Sequence, residues 1–256
     1  MTRAVHRYGD HASQIGELFL PRERGPHPVA VVFHGGYWRA RYDRSLMTDL
    51  CLDLAVHGWA AWNLEYRRVG SGGGWPETFE DVADGVDALA ELDPRLDLGR
   101  VAAIGHSAGG QLAFWSAARQ TLPVGAPGAE PRVTVGAAVS QAGVLDLRLA
   151  AELAPSAEPT RALLGDPDEH ADRYTLASPR ERLPLGVPQL VLHGNRDDVV
   201  SLRIATSYAE SARTAGDPCD LVVLCSTGHF EHLDSSTPAW HAAREWLVSY
   251  ARAVRS

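Results

Sequence analysis

One serine lies in a sequence setting that can make its hydroxyl a nucleophile. Ser107 is the centre of the pentapeptide Gly105–Gly109 (GHSAG), which follows the apolar run Val101–Ile104 and precedes an apolar helical pattern. A glycine on each side of such a serine lets a strand and a helix approach closely, while the sharp turn between them exposes the hydroxyl. The helix N-terminus also places partial positive charge beside a developing anion. This setting predicts that Ser107 is a nucleophile.

A glycine-rich turn precedes this serine in the chain. The segment His34–Trp38 (HGGYW) directly follows the apolar run Val29–Phe33. Acyl transfer requires hydrogen-bond donors aimed at a negatively charged oxygen, and such a turn can present backbone N–H groups without obstruction by side chains. We expect Gly36 and Tyr37 to supply two of these donors, and Ala108, the residue after the nucleophile, to supply a third.

A carboxylate and an imidazole follow the serine in the order expected for a catalytic triad. Asp197 lies in the turn after the apolar run Gln189–His193, and His229 lies in the turn after Leu221–Leu224. Because these turns are at the carboxyl ends of predicted parallel strands, they meet at the edge of the sheet where open α/β sheets place their sites.

Other residues could fill the same roles. Asp198 is the closest alternative to Asp197, although it could instead face solvent or cap the next helix, and Asp146 follows the preceding strand. His229 directly follows a glycine at a strand exit, whereas His232 is expected on the surface. Two histidines at this spacing, without further ligands, are a weak zinc signal, so no metal is expected. The proposed chemistry also requires no organic cofactor.

Aromatic side chains in the same turns are candidates for a substrate pocket. Alternatively, each of these aromatic side chains could simply pack within the layer of loops. Beside Tyr37, the candidate motif and pocket residues are His34, Gly35, Trp38, His106, Tyr66, Trp75 and Phe230. A substrate carboxylate would have to be bound by arginine, and the nearest arginines in the sequence are Arg39, Arg41 and Arg67, unless these are solvated surface charges.

The secondary-structure elements that must position these residues alternate between predicted strands and predicted helices. Amphipathic stretches, predicted to be helices, separate short apolar runs, and this alternation predicts an α/β fold with a mostly parallel sheet covered on both faces. The predicted strands are Ile15–Leu20 as an antiparallel edge, Val29–Phe33, Trp59–Asn63, Val101–Ile104, Val133–Ser140, Gln189–His193 and Leu221–Leu224. The predicted helices are Ser45–His57, Glu77–Ala90, Gly109–Arg119, Arg203–Ala215 and Ala239–Val254. We expect a single domain over residues 1–256, with a small helical cap inserted at about residues 146–182.

The charge composition excludes several kinds of chemistry. The 256 residues contain 24 basic and 32 acidic side chains, for a net charge of −8, and every basic residue is arginine. Without lysine there is no P-loop lysine, no Schiff-base lysine and no Ser–Lys dyad. Net negative charge argues against nucleic-acid and anionic-membrane partners. No apolar run has the length of a membrane helix, and the first twenty residues do not resemble a signal peptide. We therefore expect a cytoplasmic protein whose cysteines (Cys51, Cys219 and Cys225) remain reduced.

Taken together, these motifs resemble those of the α/β-hydrolase superfamily over nearly the whole chain. His34–Trp38 is similar to the HGGxW motif of kynurenine formamidases (arylformamidases) and of bacterial esterases, His193–Asp197 to the acid loop, and Gly228–Phe230 to the histidine loop. The resemblance implies a triad of Ser107, Asp197 and His229. It also implies hydrolysis of N-formylkynurenine to kynurenine and formate, or of a broad range of carboxylic esters.

Two other readings of this superfamily remain open. One is a biosynthetic thioesterase or cyclase, and the other is a ligand-binding protein of the same fold without hydrolytic activity. If the protein is a hydrolase, its expected partner is a small ester or formamide substrate, which could be aromatic. The chain could also form a homodimer.

Overall fold

The computed structural model describes residues 1–153 and 159–254, and its framework is one eight-stranded sheet. The spatial order of the strands is β1-β2-β4-β3-β5-β6-β7-β8. Strand β2 runs antiparallel to both of its neighbours, and all other neighbouring pairs are parallel. In chain order the strands are Thr2–Arg7, Ile15–Leu20, His27–Phe33, Ala60–Leu64, Leu96–His106, Ala137–Gln141, Gln189–Gly194 and Cys219–Leu224. The mostly parallel α/β sheet predicted from the sequence is thereby confirmed.

Helices cover both faces of this sheet. In chain order α1 to α9 are Thr48–Val56, Glu77–Asp87, Leu89–Leu92, Ala108–Ala118, Leu147–Leu153, Pro159–Leu164, Ala171–Ala177, Leu202–Thr214 and Pro238–Ala253. Helices α1 and α9 pack on one face, and α2, α4 and α8 pack on the other. Strand β3 is consequently buried on both sides: Val31 faces one layer of helices and Val32 faces the other. This double burial explains why the central strands are continuous apolar runs.

Three boundaries differ from the sequence prediction. Thr2–Arg7 forms an additional strand outside Ile15–Leu20, so the latter is not the edge of the sheet. The predicted strand beginning at Val133 begins instead at Ala137, because the carboxylate of Asp87 accepts the N–H groups of Arg132 and Val133 and holds this stretch away from the sheet. The predicted helix Glu77–Ala90 is divided into α2 and α3.

Short helices connect β6 to β7, where the sequence predicts a cap. Helices α5, α6 and α7 lie in this connection, and residues 154–158 of the predicted cap lie outside the described residues. Cys51 and Cys219 are buried, Cys225 is exposed, and all three thiols are free. Within the described part of the chain, no helix combines the length and the apolarity needed to cross a membrane.

Candidate active site

The turn between β5 and α4 holds Ser107 in a strained conformation. Its φ and ψ angles are 55° and −119°, in a region that residues other than glycine rarely adopt. A Cβ atom on Gly105 would overlap the carbonyl group of Gly109, and a Cβ on Gly109 would overlap the carbonyl oxygen of Phe33. The Ser107 N–H donates to the Gln141 carbonyl oxygen at 2.9 Å. The two glycines are therefore needed for the close approach of strand and helix that makes the strained turn possible.

A carboxylate and an imidazole from the next two loops form a direct hydrogen bond. Asp197 Oδ2 accepts from His229 Nδ1 at 2.7 Å, and Asp197 Oδ1 accepts from the N–H groups of Val199 and Val200 at 2.9 and 2.8 Å. Burial by itself raises the pKa of Asp197, but these hydrogen bonds outweigh it and hold the pKa below its ordinary value. An ionised Asp197 fixes the His229 tautomer that donates from Nδ1, which leaves Nε2 as the basic nitrogen.

His106, the residue before Ser107, connects the serine turn to the histidine loop. His106 Nε2 donates to the His229 carbonyl oxygen at 2.8 Å, and the two rings lie 4.5 Å apart. Burial lowers the pKa of His106 to about 3, so this ring is neutral at neutral pH. Among the residues that the structure describes, the Ser107 hydroxyl forms no hydrogen bond to His229. Such contacts are often long in free enzymes and shorten when substrate binds.

Two further histidines lie behind this pair. His193 Nε2 donates to the Val200 carbonyl oxygen at 2.9 Å and lies 3.3 Å from Asp197 Oδ2. His232 is fully buried, so the prediction that it is a surface residue was wrong. The chain turns inward after the histidine loop, and the carbonyl oxygen of His232 accepts from Gln141 Nε2 at 3.0 Å. Burial lowers the pKa of His232 to about 4, and its ring nitrogens have no hydrogen-bond partner among the described residues.

The glycine-rich loop after β3 packs directly against the serine turn. A Cβ on Gly35 would contact the His106 carbonyl oxygen and the Ser107 side chain. Gly36 has a φ of 110°, and a Cβ there would overlap the ring of Tyr42. Within the described residues, the N–H groups of Gly36 and Tyr37 have no protein acceptor. The N–H of Ala108 is likewise at the start of α4, where a helix leaves its first donors unused.

Two bulky residues in this loop adopt left-handed backbone conformations. The φ angles are 57° at Tyr37 and 54° at Trp38. The indole of Trp38 is buried, and its Nε1 donates to Gln111 Oε1 at 3.0 Å. The Trp38 carbonyl oxygen also accepts from the Val69 N–H at 2.8 Å. These contacts hold the loop in a conformation that its local sequence disfavours.

A buried charged network lies beneath the loop. His34 Nε2 is 3.0 Å from Glu65 Oε1, and Arg68 Nη1 is 3.3 Å from the same oxygen. The Arg44 N–H donates to Glu65 Oε2 at 3.0 Å. Burial alone raises the pKa of Glu65, but the His34 hydrogen bond and the Arg68 charge lower it below the ordinary value. His34 Nδ1 lies 2.8 Å from the Gly35 carbonyl oxygen, so both ring nitrogens face oxygen atoms.

Glu65 was not identified from the sequence. The available signal was an acidic side chain directly after the apolar strand β4, at the same edge of the sheet as the glycine-rich loop.

A cavity of about 560 Å³ opens beside Ser107, within the size range of small-molecule sites. Tyr37 and Trp38 are among the residues that line it. Its other walls come from α5, from α6 and from the acid loop, including Leu153, Thr160 and Val200. The connection between β6 and β7 therefore supplies part of the cavity wall, which is the position predicted for a cap.

The other predicted pocket aromatics lie elsewhere. Tyr66 is buried behind the glycine-rich loop, where its ring stacks on His34 and its hydroxyl donates to the His34 carbonyl oxygen at 2.8 Å. The ring of Trp75 packs against Phe79, 5.1 Å away. Phe230 is 64% exposed, with its ring edge-on to His229. The described cavity lining includes none of these three aromatics. Tyr66 and Trp75 pack against other side chains, and Phe230 is exposed to solvent.

Neither His34 nor His106 lines the cavity; both are buried beneath its floor. The predicted arginine partners of a substrate carboxylate are also outside it. Arg67 is held by Asp81, with Nη2 and Oδ1 2.6 Å apart, and Arg39 and Arg41 are exposed. The prediction of an arginine contact with substrate is therefore not supported by the cavity lining.

The fold, together with the strained serine and the buried Asp–His pair beside it, is that of the α/β-hydrolase class. The chain belongs to the family described as BD-FAE, an α/β-hydrolase esterase family whose model matches residues 17–211.

Comparison with individual proteins gives more distant matches. The chain is 28% identical to Esterase LipC of Mycobacterium tuberculosis over 96% of its own length, and it spans 65% of that relative. A truncated carbohydrate esterase from gut microbiota superposes with a TM-score of 0.82 at 19% identity, covering 98% of this chain and 97% of the other. Esterase Est2 of the Planctomycetes species Thermogutta terrifontis has a TM-score of 0.76 at 23% identity, covering 96% and 91%. At these identities the structural matches support the fold.

Proposed function

We propose that this protein is a carboxylesterase that hydrolyses small esters through an acyl-enzyme on Ser107. The observation that carries the proposal is the 2.7 Å hydrogen bond from His229 to Asp197, located beside a strained serine that lines the cavity. Esterases among the relatives and in the matching family support the same reaction class. The cavity beside Ser107 is large enough for a small ester.

In the proposed mechanism, His229 Nε2 accepts the proton of the Ser107 hydroxyl as its oxygen attacks the ester carbonyl. Asp197 stabilises the imidazolium that forms and keeps its ring oriented. The unused N–H groups of Gly36, Tyr37 and Ala108 stabilise the negative oxygen of the tetrahedral intermediate. His229 then gives the proton to the leaving alcohol. Water, with His229 again as the base, hydrolyses the acyl-enzyme and releases the acid. The contact between Ser107 and His229 shortens when substrate is bound.

The test is the hydrolysis of p-nitrophenyl butyrate by the purified protein and by the variant Ser107→Ala. We expect the variant to lose several orders of magnitude in kcat, about 10⁴-fold or more, since nucleophile and base act as a unit. Ser249→Ala is the matched control, because the Ser249 hydroxyl on α9 donates to the Glu245 carbonyl oxygen and has no other partner among the described residues. Substantial hydrolysis by Ser107→Ala would overturn the proposal.

A second candidate is arylformamide hydrolysis, favoured by the HGGYW sequence of residues 34–38. The aromatic side chains of Tyr37 and Trp38 on the cavity wall are suited to an aromatic substrate. Formate release from N-formylkynurenine, compared with cleavage of p-nitrophenyl butyrate by the same preparation, separates the two candidates. Formamide cleavage that is negligible beside ester cleavage removes the formamidase reading and leaves the esterase.

A further inference from the structure

The cavity beside Ser107 has an uneven distribution of charge. Its described lining contains the carboxylates of Asp197 and Asp198 and no arginine. An ester bound in this cavity is therefore surrounded by apolar and acidic groups.

The two carboxylates differ in how they are held. Asp197 bonds to His229 and to two backbone N–H groups, and its side chain is fully buried. Asp198 is exposed, and among residues 1–153 and 159–254 no ion pair or hydrogen bond involves its side chain. Within the described part of the chain, its charge therefore has no cationic partner. An unpaired carboxylate at the wall of a cavity acts on whatever charge a ligand carries into it.

The charge of Asp198 also acts on Tyr37, another residue of the cavity lining. Burial is the largest cause that raises the pKa of the Tyr37 hydroxyl, and the charges of Asp197 and Asp198 raise it further. The guanidinium of Arg39 acts in the opposite direction on the same hydroxyl, although Arg39 does not line the cavity. The charge of Asp198 therefore acts on a group that lines the cavity, and the guanidinium of Arg39 opposes it.

We propose that Asp198 selects substrates by charge: the site accepts esters that are neutral or cationic beyond the reacting carbonyl and rejects those that carry a carboxylate there. This inference rests on the proposed esterase function. Formation of the tetrahedral intermediate adds a negative oxygen to a site that already contains Asp197 and Asp198. A substrate carboxylate adds another negative charge, and like charges within several ångströms repel appreciably at the effective dielectric constant of a protein surface.

The test uses three p-nitrophenyl esters with acyl chains of similar length and different charge. These are the levulinate (neutral), the hemisuccinate (anionic) and the γ-trimethylammonio-butyrate (cationic). Each releases p-nitrophenolate, so one readout gives kcat/KM for all three. For the natural sequence we expect kcat/KM for the hemisuccinate to be about tenfold or more below that for the levulinate, and the cationic ester to be accepted at least as well as the neutral one.

In Asp198→Asn the ratio of kcat/KM for the hemisuccinate to that for the levulinate should rise about tenfold, with a smaller rise at high salt because screening weakens the repulsion. Asp10→Asn is the matched control, since it removes the same charge from an exposed turn between β1 and β2 and should leave the ratio unchanged. Arg39→Gln tests the opposing cation and should lower the ratio.

The outcomes distinguish this inference from the proposed function. If the natural protein hydrolyses none of the three esters, the esterase proposal fails. If it hydrolyses the levulinate and Asp198→Asn leaves the ratio unchanged, the charge-selection proposal alone is overturned. A hemisuccinate cleaved as well as the levulinate by the natural protein would also overturn it.

Discussion

The two loop regions beside Ser107 are held in opposite ways. The glycine-rich loop after β3 lies over a charged network, in which Glu65 faces Arg68 and a His34 ring whose two nitrogens both face acceptors. The acid and histidine loops after β7 and β8 lie over the imidazoles of His106 and His232, which burial keeps neutral. The first region is stabilised by buried groups of opposite charge, whereas the second contains buried imidazoles that remain uncharged.

This difference predicts different weaknesses. Removing one partner from a buried charged network leaves the other charge uncompensated, so the first region is sensitive to single substitutions. A neutral buried imidazole is sensitive to acid, because the unfolded chain binds a proton that the folded one excludes. The four predictions below test the two regions in order of decreasing expected effect.

The largest effect is expected at Asp197, the carboxylate that accepts a hydrogen bond from His229 in the second region. Asp197→Asn removes the charge that fixes the His229 tautomer, so kcat for p-nitrophenyl butyrate should fall about 10⁴-fold. The exposed substitution Asp49→Asn on α1 is the control and should leave kcat unchanged. A loss of less than about tenfold in Asp197→Asn would contradict the assigned role of the carboxylate.

The next effect tests the charged network beneath the glycine-rich loop. Glu65→Gln leaves Arg68 and His34 without their buried carboxylate, and the free energy of unfolding, measured with urea, should fall by about 3 kcal/mol. Asp93→Asn breaks an exposed ion pair with Arg95 and should cost about 1 kcal/mol or less. Equal effects of the two substitutions would show that the buried network is no more important than a surface pair.

A third effect is specific to pH. The pKa of His232 is lowered from 6.5 to about 4 in the folded chain, so the unfolded chain binds more protons between these values. Stability from this group is therefore complete above pH 6.5 and is lost as the pH falls toward 4, by about 1.4 kcal/mol per pH unit. In His232→Leu this loss disappears, so the free energy of unfolding should depend less steeply on pH. Between pH 6.5 and 5 it should fall by about 2 kcal/mol less than in the natural sequence.

The control for this pH effect is His241→Leu on α9, where the histidine is half-buried and outside the cluster. It should keep the steep dependence of the natural sequence. His106→Leu is a second arm, since the pKa of His106 is lowered to about 3 and the slope should flatten in the same direction. An unchanged slope in His232→Leu would mean that this imidazole is already protonated in the folded protein.

The sequence predicted the parts of the site that depend on local pattern. Ser107 is marked by glycines that a close approach requires, and Asp197 and His229 each lie in the turn after a strand, in the expected order. Glu65 was not identified, and His232 was wrongly assigned to the surface, because their positions depend on contacts between distant segments. The packing of His232 against His106, with ring centroids 6.2 Å apart, joins residues 126 positions apart in the chain, which no short pattern encodes.

The aromatic residues illustrate the same limit. Tyr37, Trp38 and Tyr66 all follow strands at one edge of the sheet, and sequence alone assigns all three to the pocket. The structure separates them by side-chain direction: Tyr37 and Trp38 contact the cavity, whereas Tyr66 stacks beneath the loop on His34. Proximity in the topology is readable from sequence, but the direction of a loop side chain depends on the final packing.

The smallest effect tests how precisely the glycine-rich loop must be held. Trp38→Phe keeps the aromatic ring in the core but removes the donor to Gln111 Oε1, leaving that buried oxygen without its partner. The free energy of unfolding should fall by about 1 kcal/mol. Because Trp38 adjoins the proposed donors Gly36 and Tyr37, kcat should also fall, by about fivefold, with KM nearly constant.

Trp246→Phe is the matched control for this last substitution. The Trp246 indole on α9 donates to Asp220 Oδ2 at 3.0 Å, so the same chemical change removes an exposed indole hydrogen bond at a residue that does not line the cavity. It should leave kcat unchanged. If both variants lose stability but neither loses kcat, the strained conformation of the loop is maintained by its backbone and by the Glu65 network, and the Trp38 hydrogen bond is dispensable for positioning the donors.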